Sequence, residues 1–393
     1  MIGQQVSPRV SRRGFLQTGA AVSLLGLGRR GTVSAAASGD PKADETVHFL
    51  FDGLHLTSSE CSRLLERLAS EGRAKEDTYM AGGAVADLES AFAKELGKEK
   101  AVFVATGTLA NHLAIRTLAK DASRVLVPAD SHIYNDSSDC VEALSHINLV
   151  PIGRGKPTFT VAEVREAVRQ ATDGPFPLRV GAITIECPVR RLDGAVFDYE
   201  EMKRVSEYAR AHAMGMHLDG ARLYIASAYT GVSPAEYAAL FDTVYISLYK
   251  SFNAAGGAIL AGSKAAVEAV AHARKLFGAG LFQAWPQAAV ALHYLDGFGG
   301  RYQKAVATAK ALFAELQKDS RFRVEGYPGG TNIFRLHVDG ADPKRYPAEL
   351  KSRGILIRRA QRNTPDFLLF VNESLNRRPA DQLARAFMYA LGG

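Results

Sequence analysis

Lys250 stands at the end of an apolar segment, in a setting that can make a lysine reactive. The segment covers residues 243–248, and small residues follow at 253–257. A lysine that leaves a strand into such a loop can be desolvated, which lowers the pKa of its amine and allows the amine to attack an aldehyde. A solvated lysine at a strand end would explain the same pattern.

An aspartate and an arginine follow another apolar segment. Asp219 ends the predicted strand at residues 216–219, and Arg222 comes three residues later. The carboxyl ends of strands in open α/β sheets are where ligands bind. An aspartate there can pair with a protonated pyridine nitrogen, and an arginine can hold a carboxylate through two hydrogen bonds. A turn aspartate beside a surface arginine is the alternative interpretation.

Two further signals lie earlier in the chain. Thr106-Gly107-Thr108 follows a predicted strand at residues 101–104 and opens a predicted helix, where free backbone N–H groups suit a phosphate. His132 follows the predicted strand at residues 125–128, where it can stack on a ring or transfer a proton. A tight turn with a threonine cap and a solvated loop histidine are the simpler explanations.

The order of these features along the chain is more specific than any one of them. Because these features follow one another in this order, the chain from about residue 47 to its end resembles the threonine aldolase and β-eliminating lyase group of fold-type-I pyridoxal-phosphate (PLP) enzymes. The segments that carry the resemblance are residues 103–111, 217–223, 247–250 and 257–262, with a further echo at residues 274–283.

The resemblance implies a role for each residue that contacts the cofactor. Lys250 would hold PLP as a Schiff base, and Asp219 would pair with its ring nitrogen. His132 would stack on the ring and take part in proton transfer. Gly107 and Thr108 would hold the phosphate.

Two more residues take roles from the resemblance. Arg222 would bind the carboxylate of an amino acid substrate. Glu186 stands where the family has a Glu-Asn pair near the cofactor, although Cys187 replaces the asparagine here.

The activity implied is a PLP-dependent lyase of amino acids. Either a β-hydroxy amino acid is cleaved between Cα and Cβ to glycine and an aldehyde, or a β-substituent is eliminated. A racemase or aminotransferase using the same cofactor is an alternative. An exported PLP-fold binding protein without turnover is another, because a fold does not guarantee a function. The family also implies a homodimer or homotetramer.

The substrate side departs from the family pattern. Phe282 occupies the position of an arginine, and the late strand at residues 367–371 lacks the second carboxylate-binding arginine. Arg358, Arg359 or Arg362 would have to replace it. An early Ser-Asp-Thr segment is altered to Phe51-Asp52-Gly53-Leu54. We therefore expect PLP binding to be retained and the substrate to differ.

Strand-like and helix-like segments alternate along most of the chain. This alternation predicts an α/β fold with a mostly parallel sheet between helices, and the resemblance implies seven strands in a large PLP-binding domain at residues 45–298. A long helical segment at 301–318 and short strands at 322–325, 332–338, 355–358 and 367–371 predict a smaller C-terminal α/β domain at residues 299–393.

The first 37 residues have a different character from the rest. They contain no Asp or Glu, and Arg12-Arg13 precedes a weakly apolar stretch at 20–27 and small residues at 35–37. This layout resembles a twin-arginine signal peptide and predicts a periplasmic or secreted protein. A disordered basic tail is the alternative.

The charge and cysteine content exclude several classes of function. The net charge is +7, but five arginines belong to the predicted signal, so the mature chain carries only +2 and offers no electrostatic basis for nucleic-acid binding. No apolar run is long enough to span a membrane. Cys61, Cys140 and Cys187 lack metal-ligand spacing, so no metal site is expected.

Overall fold

A seven-stranded, mostly parallel sheet carries the elements that will matter for function. The computed structural model describes residues 45–173, 175–359 and 366–392. The predicted signal at residues 1–37 and Arg362 lie outside the described residues. The described residues form strands in this sheet and in two smaller ones. In chain order these strands are β1 (Val47–His48), β2 (Lys100–Val104), β3 (Arg124–Pro128), β4 (Asn148–Ile152), β5 (Val180–Glu186), β6 (Gly215–Asp219), β7 (Thr243–Ser247), β8 (Ala258–Gly262), β9 (Phe322–Gly326), β10 (Ile333–Val338), β11 (Ile355–Leu356), β12 (Arg358–Arg359) and β13 (Asp366–Phe370).

Helices cover the sheet and connect its strands. They are α1 (Ser58–Ser70), α2 (Gly83–Glu95), α3 (Gly107–Ala119), α4 (His132–Asn135), α5 (Cys140–Ser145), α6 (Val161–Thr172), α7 (Tyr199–Ala211), α8 (Leu223–Thr230), α9 (Pro234–Ala239), α10 (Lys264–Leu276), α11 (Trp285–Leu295), α12 (Phe298–Leu316), α13 (Arg345–Ser352) and α14 (Ala380–Gly392). The start of α6 is encoded locally. Thr160 caps it through its hydroxyl, and the Glu163 carboxylate accepts from the Thr160 backbone N–H at 2.8 Å.

The order of strands in the large sheet is β2-β8-β7-β6-β5-β3-β4. Strands β4, β3, β5, β6 and β7 pair in parallel, whereas β8 is antiparallel to both of its neighbours. Every residue of β5, β7 and β8 is buried, as expected for a sheet with helices on both faces. The predicted α/β fold with a mostly parallel seven-stranded sheet is confirmed.

The C-terminal part contains a second, antiparallel sheet in the order β12-β13-β10-β9. The predicted strand at residues 355–358 is divided. Its first half, β11, pairs in parallel with β1, and Arg358 and Arg359 of β12 pair with β13. The division arises because the two halves find hydrogen-bonding partners on different segments. Residues at the start of the described chain thus pack with the C-terminal part, although the prediction assigned them to the large domain; the proposed boundary at residue 298 stays a prediction.

Two kinds of feature that would indicate other functions are absent from the described residues. No helix in the described part of the chain is long and apolar enough to cross a bilayer. Likewise, the described residues contain no cluster of His, Cys, Asp and Glu that could hold a metal ion.

Candidate active site

The carboxyl edge of the parallel strands forms one wall of a cavity of about 270 Å³. Strands β3, β5, β6 and β7 all end there, and α3 begins there, so residues far apart in sequence meet. All the residues predicted as site residues from the sequence line this single cavity: Gly107, Thr108, His132, Glu186, Asp219, Arg222 and Lys250.

The start of helix α3 forms one end of the cavity. Thr106 caps the helix, its hydroxyl accepting from the Leu109 backbone N–H at 3.2 Å. Gly107 packs so closely on Tyr245 that a Cβ at this position would collide with the tyrosine hydroxyl. This close contact therefore requires glycine, and the unpaired backbone N–H groups at the helix start favour an anion such as a phosphate.

Asp219 lies at the end of β6 and is buried. One carboxylate oxygen, Oδ2, accepts from Asn111 Nδ2 at 2.7 Å, and Oδ1 accepts from the Ala221 backbone N–H at 3.1 Å. Asn111 lies on α3, one helical turn beyond Gly107, and also lines the cavity. These donors fix the direction in which the carboxylate faces.

Lys250 follows the end of β7 by three residues. Burial lowers the pKa of its amine to about 8, and the Arg222 guanidinium acts in the same direction, while Asp219 and other carboxylates oppose them. The segment around Gly53 packs tightly against the turn that contains Lys250. A Cβ on Gly53 would lie only 2.6 Å from the Lys250 carbonyl oxygen. The Leu54 N–H also donates to Asn253 Oδ1 at 2.7 Å.

Glu186 links two loops at the rim of the cavity. Its Oε2 accepts from the backbone N–H of His132 at 2.6 Å, and its Oε1 accepts from that of Arg190 at 2.9 Å. Burial raises the pKa of the Glu186 carboxyl to about 7, with the Asp219 charge as a second cause. Glu186 therefore holds the His132 loop in place, which the sequence did not indicate.

Arg222 forms a buried ion pair with a residue that the sequence analysis did not assign to the site. Its Nε donates to Asp52 Oδ2 at 2.9 Å, and Asp52 Oδ1 accepts from Asn332 Nδ2 at 3.1 Å. Burial alone would lower the pKa of Arg222, but the carboxylates of Asp52 and Glu186 raise it, so the side chain stays charged. Because Asp52 takes only Nε, the two Nη groups are left for a ligand carboxylate.

A second cavity of about 520 Å³ adjoins the first and shares Arg222, Tyr249 and Lys250 with it. Its other walls are mixed: the charged residues Asp52, Arg190, Asp193 and Arg358 line it, together with the aromatic and aliphatic side chains of Leu50, Phe51, His55, Ile333, Leu368 and Phe370. Among the described arginines proposed to replace the missing family residue, Arg358 lines this cavity and Arg359 does not. The Arg358 guanidinium lies 4.6 Å from the centroid of the Phe370 ring.

The residues that line the cavity fit the chemical groups of PLP. The glycine cradle at the start of α3 suits a phosphate, the oriented Asp219 carboxylate suits a protonated ring nitrogen, and the Lys250 amine of lowered pKa suits an aldehyde. Sequence reasoning missed Asp52, Asn111 and Tyr249. The altered segment at residues 51–54 could have drawn attention to Asp52. The four-residue helical spacing from Gly107 could have drawn attention to Asn111.

Comparisons with known proteins agree with this geometry. A family model described as beta-eliminating lyase matches residues 58–333. Low-specificity L-threonine aldolase of Candida albicans is 31% identical over 214 residues, covering 53% of this chain and 56% of that protein. Aldolase vrtJ of Penicillium aethiopicum is 30% identical over 284 residues, covering 69% of this chain and 70% of that protein.

A solved structure from Exiguobacterium sp. 255-15, assigned to the aromatic amino acid beta-eliminating lyases and threonine aldolases, superposes with a TM-score of 0.74. It is 23% identical, and the match covers 89% of this chain and 98% of that one. This likeness shows the fold. The match to the Candida albicans relative spans little more than half of that protein's length.

The pKa of Lys250 leads to a prediction for the cofactor-free protein. Because burial lowers this pKa from 10.5 to about 8, the amine is protonated below pH 8 and becomes nucleophilic above it. Labelling of Lys250 by pyridoxal, trapped with borohydride and quantified by peptide mass spectrometry, should rise with a midpoint near pH 8. Other lysines in the same digest report the reagent's own pH dependence, and a Lys250 profile identical to theirs would contradict the assignment.

Proposed function

We propose a function for this chain from the premise that it belongs to the beta-eliminating lyase family, whose model matches more than half of it. The function is PLP-dependent cleavage of the Cα–Cβ bond of a β-hydroxy amino acid, which gives glycine and an aldehyde. The observation that carries the proposal is the meeting of Lys250, Asp219 and the helix-start anion site in one cavity.

The chain offers a distinct group to each part of the cofactor. Gly107 and Thr108 would hold the phosphate, Asp219 would pair with the ring nitrogen, His132 would lie against the ring, and Lys250 would bind the aldehyde group, since all five line the same cavity. When bound, PLP supplies an electron sink for the electron pair released at Cα.

His132 would accept the proton of the substrate's β-hydroxyl. The Ser137 hydroxyl donates to the His132 carbonyl oxygen at 3.1 Å, so Ser137 Oγ accepts from Nδ1–H of the ring at 3.2 Å. Nε2 is then free of a proton. Burial lowers the pKa of His132, which keeps the ring neutral and able to act as a base at neutral pH.

The proton and bond changes of the cleavage can be assigned to residues of this cavity. The β-hydroxyl proton passes to His132 Nε2, the Cβ–O bond becomes a carbonyl, and the Cα–Cβ bond breaks. Arg222 holds the substrate carboxylate through its Nη groups while Asp52 fixes its orientation. The proton that Cα then needs can come from Lys250, which lines the same cavity.

The assay that tests this function measures products. Protein loaded with PLP and given a β-hydroxy amino acid should release glycine and aldehyde in equal amounts, and Lys250→Ala should abolish both. Lys264→Ala, a change of an exposed lysine on α10, serves as the control. Keto-acid formation would indicate elimination or transamination instead, loss of optical activity would indicate racemisation, and tight PLP binding without any product would favour a binding protein.

The second cavity contains a residue that could help to bind the substrate carboxylate. Within the described part of the chain, Arg358 has no carboxylate partner and lines the cavity that Arg222 and Lys250 share. We infer that it supplies the second carboxylate contact in place of the absent family arginine. The apolar walls would then surround the group attached to Cβ.

Substituting Arg358 tests its role against a neighbour on the same strand. Arg358→Ala should raise KM by about tenfold or more and leave kcat nearly unchanged, since a charged hydrogen bond is worth about 1.5–3 kcal/mol. Arg359→Ala removes the same charge from a side chain outside the cavity and should leave KM unchanged. Equal effects of the two variants on KM would show that only net charge matters.

Exposed apolar side chains support the proposal of a homodimer or a pair of dimers. Tyr79, Leu276 and Phe282 are each more than 60% exposed, and the Tyr79 and Phe282 rings meet edge to face at 5.4 Å. Exposed apolar side chains of this size commonly mark contacts between proteins. We propose that a second copy of the chain covers them.

Export by a twin-arginine signal is the remaining part of the proposal, and residues 1–37 carry it. An Arg12-Arg13→Lys-Lys variant should stay in the cytosol, because the paired arginines are the feature that the export machinery reads. Arg29-Arg30→Lys-Lys changes a second arginine pair in the same segment and should leave export unchanged. Immunoblots of cytosolic and periplasmic fractions measure both, and normal export of the first variant would contradict the route.

A further inference from the structure

A chain of buried polar side chains lies behind Asp219. Thr243 Oγ1 and His217 Nδ1 are 2.9 Å apart, and His217 Nε2 and Asn111 Oδ1 are 2.9 Å apart. Asn111 Nδ2 then donates to Asp219 Oδ2 at 2.7 Å. All four residues are buried, and only Asn111 and Asp219 line the cavity.

The secondary structure explains why these residues meet. His217 and Asp219 are two residues apart on β6, so their side chains project from the same face of the sheet. Thr243 is the direct cross-strand partner of His217 on β7. Helix α3 packs on this face and brings Asn111 between the histidine and the aspartate.

One assignment of protons satisfies the whole chain. Asn111 must turn its amide nitrogen towards the Asp219 carboxylate, because its amide oxygen would repel it. The amide oxygen then faces His217, so Nε2 carries the proton. Burial lowers the pKa of His217 to about 4, so the ring is neutral at neutral pH and Nδ1 accepts from the Thr243 hydroxyl.

We propose that His217 is a positioning residue for the cofactor: with Thr243 fixing its tautomer, it orients Asn111 so that the Asp219 carboxylate keeps its direction towards the ring nitrogen of PLP. The inference rests on the proposed function, since it needs PLP in the cavity. His217 does not line the cavity itself and acts only through Asn111.

Removing the Thr243 hydroxyl breaks this series of hydrogen bonds at the end farthest from Asp219. Nδ1 of His217 would then be a buried acceptor without a donor, which favours moving the ring proton to Nδ1 or rotating the ring. Either change takes the Nε2 proton away from Asn111. The amide is then free to turn, and Asp219 Oδ2 loses the donor that fixes its direction.

The sheet provides a matched control on the other side of the histidine. Thr184 of β5 pairs with His217 in the same register as Thr243 does on β7. It is also buried, yet its hydroxyl has no hydrogen-bond partner in the described residues. Thr184→Val and Thr243→Val therefore make the same chemical change at equivalent positions, but only the second breaks the chain.

The experiment measures the dissociation constant of PLP for the full-length protein and the two valine variants. Thr243→Val should weaken PLP binding by about tenfold, whereas Thr184→Val should stay within about twofold of wild type. A carbocyclic PLP analogue with carbon in place of the ring nitrogen removes the group that Asp219 recognises. The Thr243→Val penalty should disappear with this analogue if the chain acts through the ring nitrogen.

A second pair of variants tests the histidine directly. His217→Gln keeps an N–H within reach of Asn111 and should retain most of the affinity for PLP, whereas His217→Leu should lose it as Thr243→Val does. A Thr243→Val penalty that is equal for PLP and the analogue, or equal to that of Thr184→Val, would overturn the inference and leave the proposed function intact. A wild-type protein that binds no PLP would overturn both.

Discussion

Compensation among buried charges is the constraint on which this site depends. The charges of Arg222, Asp52, Asp219 and Glu186 all act on the pKa of the Lys250 amine. Removing a single ion from water is costly, so each is tolerated only because the others offset its charge or donate to it. The lysine's lowered pKa is a product of this balance: burial and Arg222 lower it further than the three carboxylates raise it.

Local sequence pattern was sufficient to predict some parts of the site. Strand ends and helix starts can be recognised from apolar runs, turns and caps, so the positions of Gly107, Asp219 and Lys250 at such ends follow from the residues around them. The strand order added what no local pattern contains. It brought these residues to one edge, and it made Thr243 and Thr184 flank His217 on opposite sides.

Contacts between distant segments could not be predicted. Asp52 reaches Arg222 across 170 residues and Asn332 across 280, and nothing in the altered segment at residues 51–54 indicates either partner. The predicted strand at 355–358 failed in the same way, because its two halves pair with different segments. Partners chosen by tertiary packing leave little trace in local composition.

The pairing of β1 with β11 has a consequence for the timing of synthesis. A ribosome releases Val47, His48 and Asp52 early, but their respective partners Ile355, Asn372 and Asn332 emerge near the end. The Arg222–Asp52 pair therefore reaches its supported geometry only once translation is nearly complete. Any compartment that receives this protein ready to work must accept it as a finished fold, since the first strand is among the last to find its place.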